Sequence, residues 1–443
     1  MKKSMRIAIM AIAACMTMGA WAVAFAKTES EKTKETEAPA GVYAAIGAAG
    51  PLAANRLSAP GAVNAGSADS TAAVTAGTPI FTRSDLFTER DLQKEADLSK
   101  AVTYTVADGT DITITKAGVY VLTGDARDVT VYVEADKEDK VQLVLDGLTV
   151  TNSDAPVIYA KTADKVFVTT AADSALSVTG AFAADGDTNT DGVIFSKCDL
   201  VLSGTASLTI SSSKNGVVGK DDLKITGGTY VISAKSKAVE ANDSIRIAGG
   251  ALQLTAGTDG LHAENGDDDT KGYIYIGGGT LAIQAGDDGI HAVTVVQLDE
   301  GTLTVTAAEG IEGTYIQLNG GTLTVTATDD GINAAKKSSA YRPTVEINGG
   351  DITVTMGPGD TDGIDANGDI IVNGGTVRVN GNSTFDCDGS AQYNGGTIIV
   401  NGQQIDYIPN QMMGGRGGMG GFGGWGGTSG TGGKGGRGGK RGG

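Results

Sequence analysis

Thr258-Asp-Gly-Leu-His-Ala263 is followed by Asp287-Asp-Gly-Ile-His-Ala292, Glu309-Gly-Ile-Glu-Gly313 and Asp329-Asp-Gly-Ile-Asn-Ala334. One phrase recurs: an acidic residue, a glycine, an aliphatic residue and a polar one. Followed in both directions, its glycine falls at Gly192, Gly216, Gly260, Gly289, Gly310, Gly331 and Gly363, with Ala238 in the same role. Subtraction along that series gives steps of 24, 22, 22, 29, 21, 21 and 32. A repeat of about 22 residues marks a solenoid.

Two further constants define the repeat. Gly-Gly pairs stand at Gly227-Gly228, Gly249-Gly250, Gly278-Gly279, Gly320-Gly321, Gly349-Gly350, Gly374-Gly375 and Gly395-Gly396. Short stretches alternating with period two flank them, such as Tyr315-Ile-Gln-Leu318 and Thr322-Leu-Thr-Val-Thr326. Three short strands in about 22 residues make one coil of an all-β, parallel β-helix, with coils about 4.8 Å apart. Helical repeats are excluded, because no stretch of the repeat region has a 3.6-residue period.

The ends of the chain differ from this middle. Lys2, Lys3 and Arg6 precede an apolar run to Ala24, and Ala24-Phe25-Ala26 fits a cleavage site, so residues 1–26 read as a signal peptide and the protein as exported. Cys15, within a loose lipoprotein-like box, leaves lipidation as the alternative. Residues 27–79 are charged and then rich in Ala, Gly, Ser and Thr, the composition of a flexible linker. Residues 80–410 hold the solenoid. Residues 411–443 are mostly glycine with Arg416, Arg437, Lys440 and Arg441, which reads as a disordered tail or as an attachment to anionic wall polymer.

Net charge is −18 although that tail is basic, which argues against nucleic acid and favours cations or neutral sugars. Cys198 and Cys387 lie roughly eight coils, or about 40 Å, apart and cannot pair within one chain. Residues 87–100 are the best helical candidate and are expected to cover the open N-terminal end of the solenoid. Asp185, Asp187, Asn189 and Asp191 alternate as in calcium loops, but without the rest of an EF-hand, so a solvated turn is an equal reading.

Aligning the repeats produces columns. The residue after each anchor is aliphatic, from Val193 and Val217 to Ile332 and Ile364, and points inward. The residue before it is Asn215, Lys237, Asp259, Asp288, Glu309, Asp330, Asp362 and, before Gly389, Asp388. Two after it stand Val218, Glu240, His262, His291, Glu312, Asn333 and Asp365. Carboxylates stacked at one strand spacing repel by a few kcal/mol per pair at an effective dielectric near 20. Ca2+ bound between coils relieves that repulsion; a solvated acidic edge is the alternative. The candidate metal ligands are Asp259, Asp287, Asp288, Glu309, Glu312, Asp329, Asp330, Asp360, Asp362 and Asp365. A transition metal at His262 and His291 is a further alternative.

Asn319, Asn348, Asn373 and Asn394 each precede a Gly-Gly turn and predict a ladder of stacked amides. In the second strand of each coil Ile274 and Ile276 face inward, which leaves Tyr273 and Tyr275 outward, with Tyr315 two coils further on, roughly 9–10 Å away. That spacing is about that of a β-1,4-linked disaccharide, so Tyr273, Tyr275, Tyr315, Arg246 and Gln317 are candidate carbohydrate-binding residues.

Phe87-Thr-Glu-Arg-Asp-Leu92, Asp139-Lys-Val-Gln-Leu-Val-Leu-Asp-Gly147, Lys220-Asp-Asp-Leu-Lys-Ile-Thr-Gly-Gly228, Gly286-Asp-Asp-Gly-Ile-His-Ala292 and the glycine-rich tail resemble a family of secreted bacterial carbohydrate-binding β-helix proteins. The resemblance implies a pectate-lyase-like, right-handed fold with calcium between coils. It also implies binding of cellulose and of acidic sugars such as polygalacturonate, without catalysis. The chain departs from it at Cys198 and at Ala238. A calcium-dependent lyase or pectin-active enzyme on the same scaffold is the competing class, and a structural adhesion solenoid the third. The lyase needs a base beside the metal, yet Arg246, Arg342 and Arg378 fall outside the acidic column.

Overall fold

The computed structural model describes residues 77–358 and 361–410. The signal peptide, most of the linker, Asp360 and the glycine tail lie outside the described residues. Within them the chain is all-β: successive strands stack in parallel into a solenoid of three faces, so that each strand pairs with its equivalent one coil later. The chain closes differently. Thr397–Val400 pairs antiparallel with Gln403–Ile405 through Asn401 and Gly402, both at positive φ. Among the described residues no helix is long and apolar enough to cross a membrane.

Strand register follows the anchor series through its regular part. Val217 pairs Val239, then Leu261, Ile290, Ile311, Ile332 and Ile364, each one coil on. The 29- and 32-residue steps hold loops between strands and leave that register intact. At the two ends of the series the structure corrects the sequence alignment. Gly192 pairs Asn215, so Ile194 rather than Val193 sits opposite Val217. Phe385 pairs Ile364, which puts Ser383, not Asp388, beside Asp362.

Alternation sends one side chain of each pair inward. Leu254, Ile283, Val305, Val325, Val354 and Val379 form one such buried rank. Apart from Ala238 the anchors are glycine, and at Gly260 the next coil passes too close for a side chain: a Cβ there would lie 2.6 Å from the Gly289 carbonyl oxygen. The second glycine of each Gly-Gly turn has φ between 76 and 107°, a left-handed conformation that disfavours other residues. The asparagine ladder forms as expected: Asn348 donates to Asn319, Asn373 to Asn348 and Asn394 to Asn373, at 2.7–2.8 Å. Cys198 and Cys387 are both free and buried.

The N-terminal segment departs from expectation. Instead of a helix over 87–100 covering the solenoid's end, only Arg83–Leu86 is α-helical and Leu98–Lys100 is a 3-10 turn. Residues 77–100 form a strap along the second face. Helix is broken where Thr88 and Asp91 cap each other, Thr88 N donating to Asp91 Oδ2 at 3.1 Å and Asp91 N to Thr88 Oγ1 at 3.2 Å. The strap begins by residue 77, since the Gly77 amide donates to Glu346 and Thr78 O accepts from Gln317, so the last residues assigned to the linker belong to the fold.

Candidate functional site

The acidic column sits on the first face, on strands that are held in line by the glycine anchors. Two ranks emerge from it. In the first, Asp259, Asp288, Glu309, Asp330 and Asp362 precede their anchors; in the second, Glu240, His262, His291, Glu312, Asn333, Asp365 and Asp386 pair coil to coil. Asp287 and Asp329 are exposed and sit in the turns entering this face, outside both ranks. Two groups of side chains within the ranks gather tightly enough for a cation: Asp288, His291 and Glu312, and Asp362, Asp365 and Asp386, with ligand atoms of each group within 4.8 Å of one another.

The first group already contains its positive charge. His291 Nδ1 lies 2.6 Å from Asp288 Oδ2 and 2.9 Å from Glu312 Oε2, and Lys337 Nζ lies 2.8 Å from Glu312 Oε1. Burial pushes the His291 imidazole down, but its hydrogen bonds to Asp288 and Glu312 outweigh that and lift it to about 9. One coil earlier His262 Nδ1 lies 2.8 Å from Asp259 Oδ2, and the two imidazoles stack with centroids 4.6 Å apart. His291 and Lys337 thus neutralise Asp288 and Glu312 with side chains of the protein itself. Glu309, beside them, is pushed up to about 7 by burial and by the charges of Glu312 and Asp288.

The second group is different. Burial, then the charges of Asp330, Asp362 and Asp386, push Asp365 up to about 7. Burial and neighbouring carboxylates also raise Asp330 and Asp386. Asp386 Oδ1 and Asn333 Oδ1 are buried without a hydrogen-bond partner among the described residues, while Asn333 Nδ2 donates to Glu309 at 3.3 Å. Ser383 Oγ donates to Asp362 Oδ1. Three carboxylates, all oxygen donors and one of them with a buried unpartnered oxygen, fit a hard divalent cation. Asp386 was absent from the sequence-derived set because the last coil was aligned on Gly389; Phe385-Asp-Cys387 repeats the pattern of Ile364-Asp-Ala366 and carried the signal. Lys337, in a long insert, had none. The Asp185–Asp191 turn pairs instead with lysines, Asp185 with Lys161 at 3.3 Å and Asp191 with Lys214 at 2.8 Å.

The tyrosine row is not an open surface. Tyr275 and Tyr315 are buried, Gln317 is fully so, and Tyr273 and Arg246 are half-buried. Their side chains do leave the coil as alternation requires, but the strap lies over Tyr273, Tyr275, Gln317 and Arg246, and Tyr315 packs against Tyr341. Phe81 stacks on Tyr273 with centroids 4.3 Å apart, Phe87 packs against Tyr275 at 6.1 Å, and Tyr315 Oη donates to Glu346 at 2.9 Å. Arg246 donates to Asp222 at 2.6 Å and stands over the Tyr273 ring.

A carbohydrate-binding domain-containing protein from Acetivibrio thermocellus is 35% identical over 129 residues, 28% of this chain and 45% of that relative, so the chain spans less than half the relative's length. Among solved structures, a polysaccharide lyase-like protein from C. thermocellum, determined as a gadolinium derivative, is 31% identical with a TM-score of 0.45, covering 48% of this chain and 92% of that one. The family model of carbohydrate-binding domain-containing proteins matches residues 108–361 and 309–406, which together take in the carboxylate ranks, the asparagine ladder and the coils beneath the strap. The chain therefore belongs to the carbohydrate-binding domain-containing family.

Proposed function

We propose that this protein is an exported, non-catalytic, calcium-binding module for polysaccharides, with acidic chains such as polygalacturonate engaged at the first face. The observation that carries the reading is the group Asp362, Asp365 and Asp386 with the buried, unpartnered oxygen of Asp386. A calcium ion held there would offset the mutual repulsion of the carboxylates and offer a positive centre to a uronate, which the chain's net charge of −18 otherwise repels. The proposal includes a right-handed winding of about 22 residues per coil, as in pectate-lyase-like β-helices.

Catalysis is disfavoured by the chemistry of Lys337, which among the described residues reaches the ranks from an insert. Burial lowers Lys337, but Glu312 outweighs it and holds the ammonium protonated, the wrong state for a general base. Calorimetric titration with calcium, followed by polygalacturonate in its presence, tests the reading. Expected are calcium-dependent retention of the polymer and no growth in the absorbance of unsaturated products. Product accumulating in proportion to protein would establish a lyase, and no binding of either ligand would leave a structural solenoid.

A further inference from the structure

On the second face one side chain per coil forms a straight row: Lys224, Arg246, Tyr275, Gln297, Gln317 and Glu346 pair in that order. The row is about 24 Å long at one strand spacing per coil. The strap runs along it in reverse. Gly77 meets Glu346, Ile80 meets Gln317, Phe81 meets Gln297, Leu86 meets Arg246 and Asp91 meets Lys224. The strap forms no strand pairing with the face beneath it. Instead Gln297 clasps one residue, accepting from Phe81 N at 2.8 Å and donating to Phe81 O at 2.9 Å, and Gln317 accepts from Ile80 N at 3.1 Å and donates to Thr78 O at 2.9 Å.

We propose that this row is a second carbohydrate site, for neutral β-linked chains, which the protein keeps filled with residues 77–92 until a sugar chain displaces them. The inference rests on the carbohydrate-binding reading above and concerns a face separate from the acidic ranks. Three features support it. The apolar contacts of the strap (Leu86 and Phe87 with Ala248 and Tyr275) form a cluster of their own, distinct from the solenoid core, so lifting the strap leaves that core intact. Side-chain amides that donate and accept at once suit adjacent hydroxyls as well as they suit a peptide group. Phe81 presents a flat ring to Tyr273 where the apolar face of a pyranose would stack. At the centre of the row Tyr275 and Gln297 donate to Asp299 and Gln317 to Glu346, and these two carboxylates repel an acidic chain and leave a neutral one as the ligand.

The test uses the full chain and a soluble β-1,4-glucan hexamer. At saturating hexamer, hydrogen exchange at the Ile80 and Phe81 amides should quicken at least tenfold. Phe81→Ala, which loosens the strap without altering the row, should tighten hexamer binding at least tenfold by calorimetry. Adding Gln297→Ala and Gln317→Ala to that variant should remove the gain. Unchanged or slower exchange with hexamer present, or a Phe81→Ala chain that binds no more tightly, overturns the proposal. Polygalacturonate with calcium, run in parallel, separates the two readings: its retention without any hexamer effect removes the second site alone.

Discussion

Asp91 Oδ2 accepts a hydrogen bond from Lys224 Nζ at 2.9 Å, with both side chains buried and 133 positions apart in the chain. Asp91 Oδ1 also takes Lys165 Nζ at 3.2 Å, so one carboxylate anchors the strap to two coils. Burial pushes Asp91 up, but the Lys224 and Thr88 hydrogen bonds and the two ammonium charges outweigh it and hold the group at about 2. A carboxyl depressed on folding stabilises above its unfolded pKa, so this contribution is present above about pH 4 and fades towards pH 2. It amounts to about 2 kcal/mol. Asp91→Asn should flatten that acid limb in urea unfolding measured against pH. It should also speed exchange at the strap amides.

His291 has the opposite sign. An imidazole raised on folding stabilises below its unfolded pKa, near 6.5, and loses that contribution as pH rises through about 9. The wild-type chain should therefore weaken between pH 6.5 and 9, by at most about 3 kcal/mol. His291→Gln should be less stable at pH 6 and show a shallower decline, the part left near pH 7 coming from Glu309 and Asp365. An unchanged slope in the variant would mean that the imidazole is neutral between Asp288 and Glu312.

Gly310 lies where the next coil passes closest. A Cβ there would run into the Gly331 carbonyl oxygen and Val325 Cγ1. Overpacking of this kind costs about 1–3 kcal/mol, so Gly310→Ala should lower the melting temperature by several degrees. The same substitution at Gly402, where a Cβ meets nothing within 4 Å, tests backbone strain alone.

Above about pH 7, where Asp365 is ionised, Asp365→Asn removes one negative charge from the group formed with Asp330, Asp362 and Asp386. In chelator it should stabilise the fold, on the order of 2 kcal/mol given the repulsion between close carboxylates at an effective dielectric near 20. The gain in melting temperature on adding calcium should shrink, because a ligand that binds only the folded state stabilises by RT ln(1 + [L]/Kd). A variant that gains as much from calcium as the wild type would place the ion elsewhere.

Period and alternation made much of the solenoid legible. The glycine anchors set the register from Val217 to Ile364, and the asparagines before the Gly-Gly turns announced their ladder. What periodicity could not give was the strap. Alternation says that Tyr275 and Gln317 leave the coil; it does not say what another part of the chain lays over them. Residues 77–100 have no repeat, and the partner of Asp91 is a lysine 133 residues away. The charge balance of the acidic ranks was hidden for a similar reason. His291 shared the visible repeat, but Lys337 reaches Glu312 from an insert that follows no period.

The reversed strand at Gln403–Ile405 bears on how the molecule behaves in a crowd. A stack of parallel strands is a template, and a second copy could add its first coil to an open last coil and so extend a fibre. Here Gln403–Ile405 folds back over Thr397–Val400 and takes up hydrogen bonds on that edge in the opposite direction. A parallel newcomer meets a strand of the wrong polarity. The turn through Asn401 and Gly402 closes this one face of the last coil to a parallel newcomer, and a chain cut before Gln403 should aggregate more readily.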